Sequence, residues 1–297
     1  MSPGAAETVL LAPLNVSEGR DERRIAALAE AFAPSGGPVR LLDTHSDRDH
    51  HRSVLTLAGA PGTLASAIAV GARVAIAEID VTTHAGVHPR IGALDVAPIV
   101  HLDEARRGAA CAEALVLADM LGELGIPVLL YGSLAGGRTR ATLRRGSTEG
   151  LARRLASGEL VPDFGPSRTH ASAGATLVAA RAPLVAFNVE LRAPATLEQA
   201  QAIAARIREG GSQGMPGVRA LGLALDSRDA VQVSTNIEDP AAVSLADVVA
   251  AVARSAPVAG AELVGLAPRV ALAGFPEKVS LQGGAALEDV LANALTS

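Results

Sequence analysis

Residues 184–191 read LVAFNVEL, and from this stretch the order of elements in the chain begins again. The run reads as a strand. It leads into a helix at Thr196–Glu209, two strands at Ala220–Leu225 and Val231–Asn236, a helix at Ser244–Ser255 and a strand at Glu262–Leu266. The same order stands at the other end of the chain. Thr8–Asn15 is a β-rich apolar run, and Asp21–Ala33 has helical spacing with Ile25, Leu28, Ala29 and Phe32 on one face. Val39–Asp43 and Arg52–Ala58 read as short strands, Thr63 as the cap of an Ala-rich helix to about Glu78, and Asp95–His101 as a strand. A β-α-β-β-α-β order met twice is the ferredoxin-like signature. The expected fold is therefore α/β of the α+β type: two subdomains, 1–181 and 182–297, each a sheet with helices on one face and parted near Arg181-Ala182-Pro183. A long amphipathic helix, Asp103–Leu124, and a strand, Val128–Gly132, extend the first half.

Composition narrows the class. The chain has 297 residues, 49% of them apolar, enough for a sizeable core in one large or two smaller domains. A formal charge of −5 argues against a broad nucleic-acid-binding surface. The single cysteine, Cys111, excludes an intramolecular disulfide and a cysteine-rich zinc site. MSPGAAETVLL lacks a basic region followed by a long apolar run, and no apolar run reaches spanning length, so a soluble cytoplasmic protein without membrane partners is expected. Aromatic residues are scarce, which counts against an RNA-stacking platform. The glycines of Gly210–Gly217 do not follow a strand and open a helix, so they make a poor nucleotide-binding loop.

The chemistry is concentrated in residues 79–96, IDVTTHAGVHPRIGALDV. Gly86 and Pro89 oppose a regular helix, so this is a shaped loop. His84, His88, Arg90 and Asp95 there combine proton transfer with carboxylate recognition. His45, His50 and His51 are read as lying between two strands, and would line the same pocket if the two loops meet at one sheet edge. Most could equally be solvated loop histidines. His84-x₃-His88 could chelate zinc, but Gly86 and Pro89 disrupt the helix that would align the pair, and no metal is expected. Asn15 and Glu18, at the end of the first strand, are candidate substrate ligands, or else turn and capping residues. Arg52, at a strand mouth beside the histidines, suits a carboxylate, as does Arg90. Asp80 and Asp95 would orient His88 or Arg90, or cap local backbone. Pro162–Gly174 could grip a ligand through backbone N–H groups, and is equally an ordinary connection by composition. Arg138, Arg140, Arg144, Arg145, Arg153 and Arg154 read first as a solvated helix face, and second as a landing strip for an acidic tail.

Six strings resemble the glutamate formiminotransferases in order and spacing: LNVSEG (14–19), DHHRSVLTLAG (49–59), the 79–96 loop, PDFGP (162–166), AFNVEL (186–191) and VQVSTN (231–236). The resemblance spans nearly the whole chain, without the cyclodeaminase domain some members carry. It implies two α/β subdomains whose sheets face each other across a folate-binding crevice, and a homodimer. It implies transfer of the formimino group of N-formimino-L-glutamate to tetrahydrofolate, the co-substrate, in histidine degradation and one-carbon metabolism. His88 matches the family's catalytic histidine. Gly165, Pro166, Ser167, Arg168, Thr169, His170, Ala171, Ser172, Ala173 and Gly174 match its folate-binding stretch. Arg52 and Arg90 would hold carboxylates, with Asn15, Glu18, His51, His84 and Asp95 beside the substrate. The chain departs from the family pattern at Val87 (usually Glu), His51 (Asn), Ala97-Pro98-Ile99 (Cys-Pro-Phe) and Ala173 (aromatic). Alternative readings are formyl transfer from N-formylglutamate to tetrahydrofolate, and a folate-binding paralogue without catalysis.

Overall fold

A computed structural model describes residues 9–296. The chain divides into two compact units, the first ending at Ala182 and the second beginning at Pro183.

The first unit runs β1 (Leu10–Val16), α1 (Glu22–Phe32), β2 (Val39–Asp47), β3 (Arg52–Gly59), α2 (Leu64–Glu78) and β4 (Leu94–His101). It continues with α3 (Arg107–Glu123), β5 (Val128–Leu130), α4 (Arg140–Leu143), α5 (Ser147–Ala156) and β6 (Thr176–Arg181). The sheet order is β2-β3-β1-β4-β6-β5. The first four strands are antiparallel neighbours in the order that a ferredoxin-like β-α-β-β-α-β unit produces. β6 and β5 then add in parallel. Thr8, assigned to the first strand from the sequence, lies outside the described residues.

Local chemistry explains the helix starts. Asp21 caps α1 by accepting the N–H groups of Arg23 and Arg24. Thr63 does not cap α2: its hydroxyl donates instead to the Ala60 carbonyl. The N-terminal amides there are taken by Glu113 of α3, whose carboxylate accepts from Gly62 at 2.5 Å and Ala65 at 2.7 Å. A carboxylate at a helix N-terminus meets both its unpaired N–H groups and the positive end of its dipole. α1 lies close on α2 where Gly71 faces the ring of Phe32, and a Cβ at Gly71 would fall 2.1 Å from that ring. Removing Phe32 from water is worth roughly 2–3 kcal/mol.

The first sheet has packing on two faces, where the sequence suggests helices on one. Val178 and Ala180 of β6 join the core that holds Leu28, Phe32, Ile68, Ala114 and Leu117 of the three long helices. Leu177 and Ala179 join a separate cluster with Leu143, Leu151 and Leu155. The alternation along the strand is the period-two geometry of a sheet buried on both sides. β4 accordingly has every residue buried. β6 is not among the elements read from the sequence, and the α4–α5 segment enters there only as a solvated helix face.

The second unit is β7 (Val185–Leu191), α6 (Leu197–Ile207), β8 (Val218–Leu225), β9 (Ala230–Ile237), α7 (Leu245–Ala253) and β10 (Val258–Val264). β11 (Leu266–Ala267), α8 (Arg269–Leu272), β12 (Leu281–Gln282), β13 (Ala285–Ala286) and α9 (Leu287–Thr296) complete it. The order β12-β10-β7-β9-β8 repeats the ferredoxin-like arrangement with one short edge strand added. Thr196 and Ser244 start α6 and α7 through reciprocal capping boxes with Gln199 and Asp247. Ile203, Ile207, Val248 and Val252 of these helices pack on Phe187, Val189 and Val233 of the sheet.

Candidate active site

Because β1 is antiparallel to both β3 and β4, its C-terminal end lies beside their N-terminal ends. The segment after β1, the β2–β3 turn and the loop before β4 therefore meet at one edge of the sheet. They are bonded to one another. Ser17 donates its N–H to Ala93 O and its hydroxyl to Gly92 O, and Ser53 donates to Glu18 O. Val87 N–H donates to Asp49 O at 3.0 Å, and Arg20 reaches Ala85 O. Two glycines allow this approach: a Cβ on Gly86 would stand 2.2 Å from His50 O, and one on Gly19 2.3 Å from Asp47 O. The two histidine-bearing loops thus meet as the sequence suggests, with one correction. His45 is not between strands but within β2, which runs on to Asp47.

Glu18 is 2% exposed and saturated by the protein. One oxygen accepts the N–H groups of Gly19, Arg20 and Asp21, and the other accepts from Arg24 at 2.5 Å. Burial works against its charge, but the Arg20 and Asp21 amides and Arg24 outweigh it and hold the carboxyl at about 2. The same carboxylate accepts from His51 Nε2 at 3.1 Å. His51 sits at φ +49 and stacks on His84 with ring centroids 4.0 Å apart. His84 Nε2, 2.7 Å from the His51 carbonyl, is the donor in that bond, and its Nδ1 accepts from Gly86 N–H. Both ring nitrogens of a neutral His84 are thereby used, and burial, with Arg90 and His51 nearby, pushes it down to about 4. Glu18, His51 and His84 form a brace beneath the loop.

Asp95 carries the charge at the site. It is fully buried on β4. One oxygen accepts Ile91 N–H at 2.8 Å; the other accepts from Arg52 at 2.6 Å and from Arg144. Burial opposes its ionisation, but Arg144 and Arg52 hold it at about 2. Arg52 also donates from Nε to Asn15 Oδ1 at 3.0 Å, and burial lowers it to about 10. Arg144 is not on a solvated face: its side chain is 12% exposed, and its Nε is buried without a hydrogen-bond partner. The sequence reading missed this residue. The available signal was Leu143, Leu151 and Leu155, spaced among the arginines as a buried helical stripe would be. Of the rest, Arg145 and Arg154 pair with Glu159, and Arg138 with Asp163.

His88 lies in the field of this cluster. Its Nδ1 is 2.8 Å from the Pro89 carbonyl, which can only accept, so Nδ1 carries the hydrogen and Nε2 presents a lone pair. Withdrawal of the ring from water, then Arg52, Arg144 and His50, hold it well below the usual histidine range against the opposing pull of Asp95. His50 meets the ring edge-on with centroids 5.8 Å apart. His88 is therefore neutral at physiological pH and ready to accept a proton. Arg90 is placed otherwise than a carboxylate ligand would be. Its guanidinium donates to Gly86 O, His88 O and His84 O, and so staples the loop. Asp80 accepts from Thr82 and caps a local turn, leaving Asp95 as the acid at the site.

Within residues 165–174, Gly165, Ser167, Arg168 and Ala171 are exposed, whereas Ala173 and Gly174 are buried. The end of the segment is tied to the histidine loop: Val81 N–H donates to Ser172 O, Ala93 N–H to Ala173 O and Ala175 N–H to Ile91 O. A Cβ on Gly174 would meet Ile91 O at 2.1 Å. Ala173 is 2% exposed and part of the main core, so an aromatic ring there would have no open space to stack in. Among the described residues, no group of three or more His, Cys, Asp or Glu side chains could hold a metal ion, and no helix is long and apolar enough to cross a membrane.

The family model for the formiminotransferase domain, N-terminal subdomain, matches residues 9–181, and that for the formiminotransferase domain matches residues 186–276. A formimidoyltransferase-cyclodeaminase of Sus scrofa is 40% identical over 276 residues, which cover 87% of this chain and 50% of the relative. The chain thus spans about half the length of the bifunctional relatives it matches. A glutamate formimidoyltransferase of Streptococcus pyogenes serotype M1 is 37% identical, covering 87% of this chain and 88% of that one. Another, from Thermoplasma acidophilum, is 35% identical over 75% of this chain and 74% of its own. With both units matched and this identity sustained across most of their length, the chain belongs to the formiminotransferase family.

Proposed function

We propose that the chain is a glutamate formimidoyltransferase, which moves the formimino group of N-formimino-L-glutamate to N5 of tetrahydrofolate and releases L-glutamate. The observation that carries this reading is a neutral His88, with Nε2 as acceptor, beside the buried cations Arg52 and Arg144. N5 attacks the amidine carbon to give a tetrahedral adduct. As the new C–N bond forms, N5 gives its proton to His88 Nε2. The imidazolium returns that proton to the glutamate nitrogen as the old C–N bond breaks, so one residue serves as base and then acid. No metal is needed for these transfers. Arg52 would bind a carboxylate of the donor. Glu18, His51, His84 and Arg90 hold the loop in shape. The exposed residues from Gly165 to Ala171 would meet the folate, and the backbone pairing of residues 172–175 with the loop would keep that contact in register with His88. The relatives named as formimidoyltransferases support the same reaction. The reading includes a cytoplasmic homodimer, as the resemblance implies. The test is a spectrophotometric assay with tetrahydrofolate and either N-formimino- or N-formyl-L-glutamate. Turnover with the formimino donor is expected; turnover with the formyl donor alone would assign formyl transfer, and none with either would sink both.

A further inference from the structure

We propose that Arg52 and Arg144 together form the donor-carboxylate site. The inference rests on the proposed function for the identity of the anion, but the site itself follows from charge and geometry. Two guanidinium groups converge on a single oxygen of Asp95, whose other oxygen is taken by Ile91 N–H. One buried carboxylate thus faces two buried cations, and the cluster carries a net positive charge. Arg140 adds to it, acting on Arg52 from the segment before Arg144. A buried, uncompensated cation is costly, and an incoming carboxylate cancels that cost while using the planar N–H fork of arginine. The unpartnered, buried Nε of Arg144 adds a donor without an acceptor. Arg90 Nε is likewise buried without a partner, but both terminal nitrogens of Arg90 are spent on loop carbonyls.

The test is calorimetric titration of L-glutamate into the wild type, Arg144→Ala and Arg144→Lys, with the donor KM measured in the assay. The wild type is expected to bind L-glutamate, Arg144→Ala to bind it about 10–100-fold more weakly with a matching rise in donor KM, the loss expected for one charge-assisted bond, and Arg144→Lys to fall between. Unchanged glutamate affinity and donor KM in a folded Arg144→Ala protein overturn the inference. If Arg144→Ala does not fold, an Arg144→Lys protein that binds glutamate as the wild type does overturns it. Absence of wild-type turnover would defeat the assigned reaction, whereas the calorimetry judges the carboxylate site by itself.

Discussion

Replacing Asp95 with asparagine tests the centre of the site most directly. The Asp95→Asn side chain would keep the shape but remove the counterion of two buried arginines. The carboxyl is held at about 2 in the fold, against an ordinary 3.8, and that difference is worth roughly 2–3 kcal/mol. Its contribution is complete above the unfolded value and is lost as pH falls from about 4 through 2. Substitution should cost more than protonation does. An amide turned toward the arginines would set N–H against N–H, and turned the other way it offers one weaker acceptor. Breaking a buried pair by removing one partner costs about 3–5 kcal/mol. For a unit of this size, with about 2–4 °C lost per kcal/mol, the melting temperature should fall by roughly 6–20 °C. Thermal unfolding at pH 7, followed by far-UV circular dichroism, measures this. The freed arginines also make a second, distinguishing expectation: L-glutamate should raise the melting temperature of the variant more than that of the wild type, because a ligand that binds only the folded state stabilises by mass action. Below pH 4 the variant should lose the acid-dependent decline that Asp95 contributes to the wild type. A melting temperature within about 2 °C of wild type would refute the account of Asp95 as the counterion that holds Arg52 and Arg144.

His88→Ala should lower turnover about 10²–10⁴-fold with little change in melting temperature, and wild-type kcat/KM should stay flat as pH falls through 6.5, because a base held well below the usual histidine range is still unprotonated there; a rate loss centred at pH 6.5 would contradict this. Arg90→Ala should lower kcat more than it raises donor KM, since the guanidinium holds loop carbonyls, and a purely KM effect would return Arg90 to substrate binding. Ala173→Trp should destabilise by about 1–3 kcal/mol or more through overpacking and should not improve folate affinity; calorimetry and denaturant melts would show otherwise if the side chain had room. Glu113→Ala should cost about 2–4 kcal/mol by stranding the Gly62 and Ala65 amides, and a neutral result in urea unfolding would mean that water replaces the carboxylate.

The repeated order of elements was legible because strand and helix periods are local, and because Asp21, Thr196 and Ser244 mark helix starts with side chains that act within three residues. The histidine loop was equally legible, since Gly86 and Pro89 announce a shaped backbone wherever they occur. What a residue does inside that loop was not. Arg52 and Arg90 look alike in sequence, yet one reaches Asp95 across the sheet and the other bonds to its own loop. Thr63 looks like a cap, yet Glu113, 48 residues from Ala65, holds the amide. Arg144 sat in a segment whose six arginines suggested solvent, because charge is counted along the chain while burial is decided by Leu143, Leu151 and Leu155 packing on the second face of the sheet. Periodicity and capping act over a few residues, so the sequence alone determined the elements of the two repeated units, their order and the loop that bears His88. Charge pairing acts through space at a few ångströms, so only the tertiary structure decided which arginines share Asp95 and which nitrogen of His88 is left to take a proton.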